Sequence, residues 1–242
     1  MIQSTIEIIP PERRLSIAAI VFPGMDQIDL TGPYSVLSRI PNCSIQLVWK
    51  NKEPLRDHLG FSLLPDTTFD EAGQIDLLLI PGGPGQEELM DDERVLEFIR
   101  QRAEAAQCVF SVCTGALICG AAGLLTGRAA TTHWTSLHLL KYFGAKTSTK
   151  RVAIDGTFVS AAGLTAGIDG ALTVAALLRG DEVAQKIQLA IQYTPEPPFN
   201  CGSPETAPPK ILAAVQEKTS SLTAKREETA KRIAAKMGVK VD

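Results

Sequence analysis

The chain has 242 residues, of which 45% are hydrophobic and 21% charged, and its formal net charge is −3. This balance is typical of a globular protein with one large domain or two small ones, and it argues against a nucleic-acid-binding surface or an anionic-membrane patch. The five cysteines form no CxxC pair, so we do not expect a zinc ribbon or a disulfide framework. There is no apolar run of about 18 residues and no secretory signal pattern, so we expect a cytoplasmic protein.

Strands and helices alternate along most of the chain. After a loose leader over residues 1–14, apolar runs predict strands at 15–22, 45–49, 75–80, 108–112, 128–132, 151–154 and 157–160. Amphipathic or small-residue runs predict helices at 34–39, 94–106, 114–125, 134–143, 164–178 and 182–193. This alternation indicates an α/β fold, with a mostly parallel sheet sandwiched by helices.

The end of the chain has a different character. Six prolines between residues 194 and 209 predict an extended connector, and a charged helix is expected from Lys210 to about Met237. Its thin apolar stripe consists of Ile211, Val215, Leu222, Ile233 and Met237. An isolated helix of this kind is marginal in water, so we expect it to lie on the same domain or on a partner subunit. A frayed tail is the alternative. The main domain is accordingly placed at 15–199 and the extension at 200–242.

Cys113 is the strongest candidate for a functional residue. It lies where the apolar run ending at Val112 meets a helix-like run that begins at Thr114. A side chain at such a bend points toward the N-terminus of the next helix, whose partial positive charge favours a thiolate. The serine form of this arrangement is the nucleophile elbow of hydrolases. A buried structural cysteine is the alternative, because free cysteines are often buried.

Two residues are candidates for the acid or base beside Cys113. Asp29 follows the first strand on a connection that leads to the next helix, and His133 lies at a later strand-to-helix junction. Ligand sites in such sheets lie beyond the carboxyl ends of the strands, where both residues are expected. The alternatives are a helix cap or turn for Asp29 and local backbone hydrogen bonding for His133.

Gly82 and Gly83 follow the strand at 75–80 and permit close backbone approach. Their N–H groups are candidates for donors to negative charge on a substrate, with an ordinary turn as the alternative. Cys108 and Cys119 are interpreted as packing residues, since neither lies at such a bend.

Several segments together resemble the ThiJ/PfpI superfamily of glutamine-amidotransferase-like folds. They are FPGMDQIDLTGP, IPGG, SVCTGALICGAAGLLTGRAATTHW and GLTAGIDGAL. Within that superfamily, the DLTGP and ATTHW segments and the PPFN–GSP connector are most similar to isocyanide (isonitrile) hydratases. The resemblance implies a flavodoxin-like fold with a C-terminal helix, a homodimer, and a lyase that needs no metal or organic cofactor. The substrate would be an isocyanide, hydrated to an N-substituted formamide through a thioimidate.

The same resemblance implies roles for individual residues. Cys113 matches the nucleophile and Asp29 the acidic residue that hydrogen-bonds it, where most of the superfamily has glutamate. Thr114 matches the residue that shapes the site, and Gly82 and Gly83 match its backbone-amide side. His133 matches no catalytic residue, which favours a Cys–Asp mechanism.

Other functions remain open on the same fold. A glyoxalase- or deglycase-like enzyme would usually carry glutamate in place of Asp29, a redox sensor would need only a reactive Cys113, and a structural or chaperone module would not need Asp29. AraC-type regulators with this fold would need roughly 100 further residues for paired helix-turn-helix units. Only enough chain for one long helix follows Pro209.

Overall fold

A seven-stranded sheet forms the middle layer of the molecule, in a computed structural model that describes residues 4–241. The described residues form eleven strands, seven in this sheet and four in two separate pairs, β3–β4 and β8–β9. The strands are β1 (Leu15–Ile20), β2 (Cys43–Trp49), β3 (Leu55–Arg56), β4 (Ser62–Leu63), β5 (Thr67–Thr68), β6 (Leu77–Ile80), β7 (Cys108–Val112), β8 (Ala129–Ala130), β9 (Lys146–Thr147), β10 (Val152–Asp155) and β11 (Phe158–Ala161). The sheet order is β10-β11-β7-β6-β1-β2-β5, and only the β10–β11 pair is antiparallel. The carboxyl ends of the parallel strands β1, β6 and β7 therefore meet at one edge of the sheet, and ligand sites in such sheets lie at this edge.

Helices flank this sheet. They are α1 (Gln27–Leu37), α2 (Gln86–Leu89), α3 (Glu93–Ala105), α4 (Gly115–Ala121), a 3-10 helix (Trp134–Phe143), α5 (Ala166–Arg179), α6 (Asp181–Ala190) and α7 (Pro209–Met237). Helices α1, α5 and α6 pack together, while α2, α3, α4, the 3-10 helix and α7 form a second group. The predicted fold class is confirmed. No helix in the described range 4–241 has both the length and the apolar character needed to cross a bilayer.

The position of the first helix differs from the prediction. It was expected at 34–39, after Thr31-Gly32-Pro33, but it begins at Gln27 and includes Pro33. The side chain of Asp26 caps it by accepting a hydrogen bond from the Ile28 N–H at 3.3 Å. Asp29 therefore lies in the first turn of α1 rather than on a connection before the helix.

Residues 4–14 of the leader are held against the domain, contrary to the expectation that the leader is loose, while residues 1–3 lie outside the described range. Ile9 is buried, and its N–H donates to the Leu178 carbonyl at 2.9 Å. The buried guanidinium of Arg179 donates to the carbonyls of Ile9 at 2.6 Å and Arg13 at 2.7 Å. These contacts fix the path of the leader before β1.

The C-terminal helix has two halves with different surroundings. Helix α7 contacts the 3-10 helix and α2 of the same chain, and its second half is the buried part. Its buried residues are Arg226, Thr229, Ala230, Ile233 and Ala234. In the first half, Ile211 and Val215 are exposed, by 50% and 40%, and Leu222 is half-buried. Packing on the same domain is thus observed for the second half, and packing on a partner subunit stays a prediction for the first.

Candidate active site

Cys113 lies on a strained bend between β7 and α4. Its φ is +54°, a left-handed conformation that costs a non-glycine residue roughly 1–3 kcal/mol. Two hydrogen bonds hold this bend, from the Cys113 N–H to the Ala161 carbonyl at 3.1 Å and from the Thr132 hydroxyl to the Cys113 carbonyl at 2.6 Å. The predicted strand-to-helix junction is confirmed, and its geometry is that of a nucleophile elbow.

Asp29 is the acidic group beside the thiol. Its side chain is fully buried, and Oδ2 accepts a hydrogen bond from the Gly82 N–H at 3.0 Å. The other oxygen, Oδ1, has no N–H or O–H partner among residues 4–241, while the Cys113 thiol faces the carboxyl. Burial, reinforced by the charge of Asp26, raises the pKa of Asp29 from 3.8 to about 7, although the Gly82 N–H and the thiol oppose this. Asp29 can therefore hold or release a proton near neutral pH.

The pKa of the Cys113 thiol lies well above its ordinary value. Burial is the main cause and Asp29 the second, while the Thr114 N–H and Arg226 act in the opposite direction. The sequence predicted a thiolate favoured by the helix end, but that contribution is outweighed because the thiol is only 5% exposed and lies next to a carboxyl. The resting thiol keeps its proton, so a nucleophile forms only when a neighbouring base takes it.

The two glycines after β6 bring this strand end against the elbow. A Cβ atom at Gly82 would lie 2.5 Å from the Thr114 nitrogen. Gly83 has a φ of +128°, and its N–H donates to the Thr114 hydroxyl at 3.1 Å. Both N–H groups are thus occupied by Asp29 and Thr114, which corrects the expectation that they donate to a substrate. The two glycines thus hold the Asp29 carboxyl and the Thr114 hydroxyl in place.

His133 serves the backbone of its own helix. It precedes the 3-10 helix, and Nδ1 accepts a hydrogen bond from the Thr135 N–H at 3.4 Å. Burial, together with the Arg226 charge, lowers the pKa of His133 to about 4. The imidazole is therefore neutral near pH 7, and it fits the alternative of local hydrogen bonding. Within residues 4–241, no group of three or more His, Cys, Asp or Glu side chains is arranged to hold a metal ion.

Sequence reasoning missed Arg226. This residue on α7 is buried, and its Nη2 donates to the Gly83 carbonyl at 2.8 Å and to the Thr114 hydroxyl at 3.4 Å. The sequence did contain one sign that Arg226 is buried. Its spacing places it on the same helical face as the apolar residues Ala230 and Ile233.

A cleft of about 490 Å³ lies beside the elbow. Thr132, which holds the Cys113 carbonyl, is part of its wall. The rest of the wall is mixed, and includes Trp134, Leu137, Leu164, Arg151 and Glu205. The cleft therefore offers apolar surface with charged groups, next to the bend that carries the thiol.

Comparison with known proteins identifies the family. A model of the DJ-1/PfpI family matches residues 15–177. The chain belongs to the DJ-1/PfpI family. The resemblance noted in the sequence is thereby confirmed.

Individual proteins are similar to this chain, in sequence or in structure, over most of its length. Isonitrile hydratase of Pseudomonas putida is 44% identical over 226 residues, which cover 93% of this chain and 99% of that protein. The crystal structure of a ThiJ/PfpI family protein from Pseudomonas syringae has a TM-score of 0.88 and 37% identity, over 90% of this chain and 91% of that one. Drosophila melanogaster DJ-1beta, at a TM-score of 0.68 and 19% identity over 76% of this chain and 100% of that one, shares the fold.

Proposed function

We propose that this DJ-1/PfpI protein is an isocyanide hydratase that converts R–N≡C and water into an N-substituted formamide. The observation that carries the proposal is the buried Cys113–Asp29 pair at the strained elbow. The similarity to isonitrile hydratase over nearly the whole chain supports the same reaction. We also propose that the chain works as a homodimer, which the resemblance implies.

In the first step, Asp29 takes the proton of the Cys113 thiol. The thiolate attacks the terminal isocyanide carbon, and Asp29 passes the proton to that carbon. One C–S bond and one C–H bond form, which gives the thioimidate R–N=CH–S–Cys113 and returns Asp29 to its carboxylate form. A pKa of about 7 suits this role, because the same group must accept and then donate near neutral pH.

In the second step, water adds to the thioimidate carbon. Asp29 takes a proton from the water and delivers it to the nitrogen, so the adduct is R–NH–CH(OH)–S–Cys113. Loss of the hydroxyl proton forms the formamide C=O as the C–S bond breaks, and Asp29 returns that proton to the departing thiolate. The sum is one isocyanide plus one water giving R–NH–CHO, with the enzyme unchanged.

We propose that the R group occupies the cleft beside the elbow, whose wall includes Thr132 but neither Cys113 nor Asp29. We place it against Trp134, Leu137 and Leu164, because an isocyanide carries its polar carbon at one end and an apolar group at the other.

The alternatives fit the site less well. A redox sensor needs an exposed thiol with a low pKa, whereas Cys113 is buried with a raised one. A deglycase-like enzyme would usually carry glutamate where this chain has Asp29.

The deciding experiment is turnover of an aryl isocyanide by the purified chain, with the formamide identified by mass spectrometry. We expect Cys113→Ala to lower turnover at least about a thousandfold and to keep the wild-type melting temperature. Cys201→Ser is the matched control, because it alters a half-buried cysteine in the connector. Residual turnover in Cys113→Ala above about a thousandth of the wild-type rate would argue for another nucleophile. Turnover of methylglyoxal alone would favour the deglycase alternative.

A further inference from the structure

Arg226 is a buried charge in an unusual setting. The side chain of Arg226 is 5% exposed, and no carboxylate lies within ion-pair distance of it among residues 4–241. Its Nη2 donates to the Gly83 carbonyl and the Thr114 hydroxyl, while the buried Nε has no partner in that range. Burying a guanidinium without a full set of partners is costly. A purely structural contact with a carbonyl and a hydroxyl would not need a permanent charge.

The carboxylate whose charge acts on Arg226 already has its own partners. Glu87 is buried on α2, where its Oε2 pairs with Lys225 at 2.6 Å and its Oε1 accepts a hydrogen bond from the Thr229 hydroxyl at 2.7 Å. Both partners come from α7, one on each side of Arg226 along the helix. Lys225 thus balances the negative charge of Glu87. The positive charge of Arg226 remains to act on Cys113 at the elbow.

We infer that Arg226 is a positioning residue of the active site, which fixes Thr114 and the Gly83 turn and favours the charged form of the Cys113 sulfur. The titratable and charged groups that face this sulfur are Asp29 from α1 and Arg226 from α7. Those that face the guanidinium are Cys113, Glu87 and His133. The positive charge of Arg226 lowers the free energy needed to deprotonate the Cys113 thiol, because it stabilises the thiolate. The Asp29 carboxyl acts in the opposite direction.

The geometric part of this role acts through Thr114. Its hydroxyl accepts from both Arg226 and the Gly83 N–H, and its own N–H faces the Cys113 sulfur. By fixing Thr114, Arg226 keeps this N–H directed at the sulfur. The C-terminal helix therefore belongs to the active site, and the effect on turnover rests on the proposed isocyanide chemistry.

The test compares Arg226→Gln and Arg226→Lys with Arg232→Gln. Arg232 is the matched control because it also ties α7 to the domain, through Asp91 at 2.7 Å, but is half-exposed and does not contact the site. The readout is the thiolate titration of Cys113, followed below its midpoint as the rate of alkylation by iodoacetamide against pH, because this rate is proportional to the fraction of thiolate. The same variant with Cys113→Ala is subtracted as background. Melting temperature and isocyanide turnover are measured alongside.

We expect Arg226→Gln to move the thiolate titration upward by about one pH unit, equivalent to a tenfold loss of thiolate at a given pH. Arg226→Lys keeps the charge and should titrate close to wild type, and Arg232→Gln should lower the melting temperature only. The inference is overturned if Arg226→Gln titrates like wild type while its melting temperature falls as in Arg232→Gln. If Arg226→Gln does not fold, Arg226→Lys decides, because a titration displaced by a full unit despite the retained charge would also overturn the inference.

The titration separates this inference from the proposed function. A shifted titration in a protein that turns over no isocyanide would refute the proposed function and leave the role of Arg226 standing. Full isocyanide turnover with an unmoved titration would refute the role of Arg226 alone.

Discussion

Replacing Asp29 with asparagine is expected to stabilise the fold while it abolishes function. Asparagine has nearly the same size and still accepts a hydrogen bond from the Gly82 N–H. It has no ionised form, so the cost of burying the Asp29 charge disappears. It also cannot take up and release a proton, and we expect turnover near pH 7 to fall by about a hundredfold or more.

The size of the stabilisation follows from the pKa of Asp29. Folding raises it from 3.8 to about 7, and one pH unit corresponds to about 1.36 kcal/mol, so the ionised carboxyl costs about 4 kcal/mol. Because the folded state holds the proton more tightly than the unfolded state, the contribution of Asp29 is fully present below pH 3.8 and is lost as the pH rises through about 7. Asp29→Asn should therefore match wild type in acid and exceed it in base.

The assay is urea unfolding of both proteins at about pH 5 and 8, at one protein concentration. The difference in unfolding free energy between variant and wild type should grow by about 3 kcal/mol over this interval, since all other titrating groups are shared. Parallel pH profiles would refute the argument that burial holds the Asp29 pKa high. Near-normal turnover of Asp29→Asn would instead refute the Cys–Asp mechanism and bring His133 back as the base.

Two further predictions concern the backbone around the site. Gly82→Ala should cost about 3 kcal/mol of stability and most of the turnover, because its Cβ would lie 2.5 Å from the Thr114 nitrogen. Gly73→Ala, where nothing lies within 4 Å, is the control, and equal melting temperatures for the two variants would contradict the close-approach argument. Truncation after Pro209 should lower turnover and weaken the proposed dimer, so that the melting temperature falls by an amount that depends on protein concentration. Unchanged sedimentation, melting and turnover would show that the helix is only a tail.

The sheet and the elbow were predictable because their signals are local. The run CVFSV is short, apolar and followed by small residues, and β7 has the predicted bounds 108–112. Helix α1 was harder, since Gly32 and Pro33 are poor helix formers. They are tolerated because they pack closely on α5, where a Cβ at Gly32 would lie 3.2 Å from Ile168. This packing depends on a segment more than 130 residues away in the sequence. Helix propensity, which describes only the local sequence, therefore could not predict it.

The pKa values and the role of Arg226 depend on distant contacts as well. Sequence analysis assigned the helix end as the main influence on Cys113, but burial and Asp29 set its pKa. Arg226 has the spacing of a buried residue, but the sequence analysis considered only the apolar stripe of this helix and did not single it out. Its partners, Gly83 and Thr114, lie more than 100 residues earlier in the chain, and only the folded structure brings them together.

The contact of α7 with the elbow has a consequence for biosynthesis. Domains fold as the chain emerges from the ribosome, at about 5–20 residues per second. Every strand of the sheet, together with Asp29 and Cys113, precedes residue 162 and is therefore synthesised before Arg226. In a nascent chain that has already formed its sheet, the elbow has its bonds to Ala161 and Thr132 but still lacks the contacts of Arg226 with Gly83 and Thr114. The thiol therefore has its full set of contacts only after α7 has left the ribosome and docked on the domain, which is later than formation of the sheet.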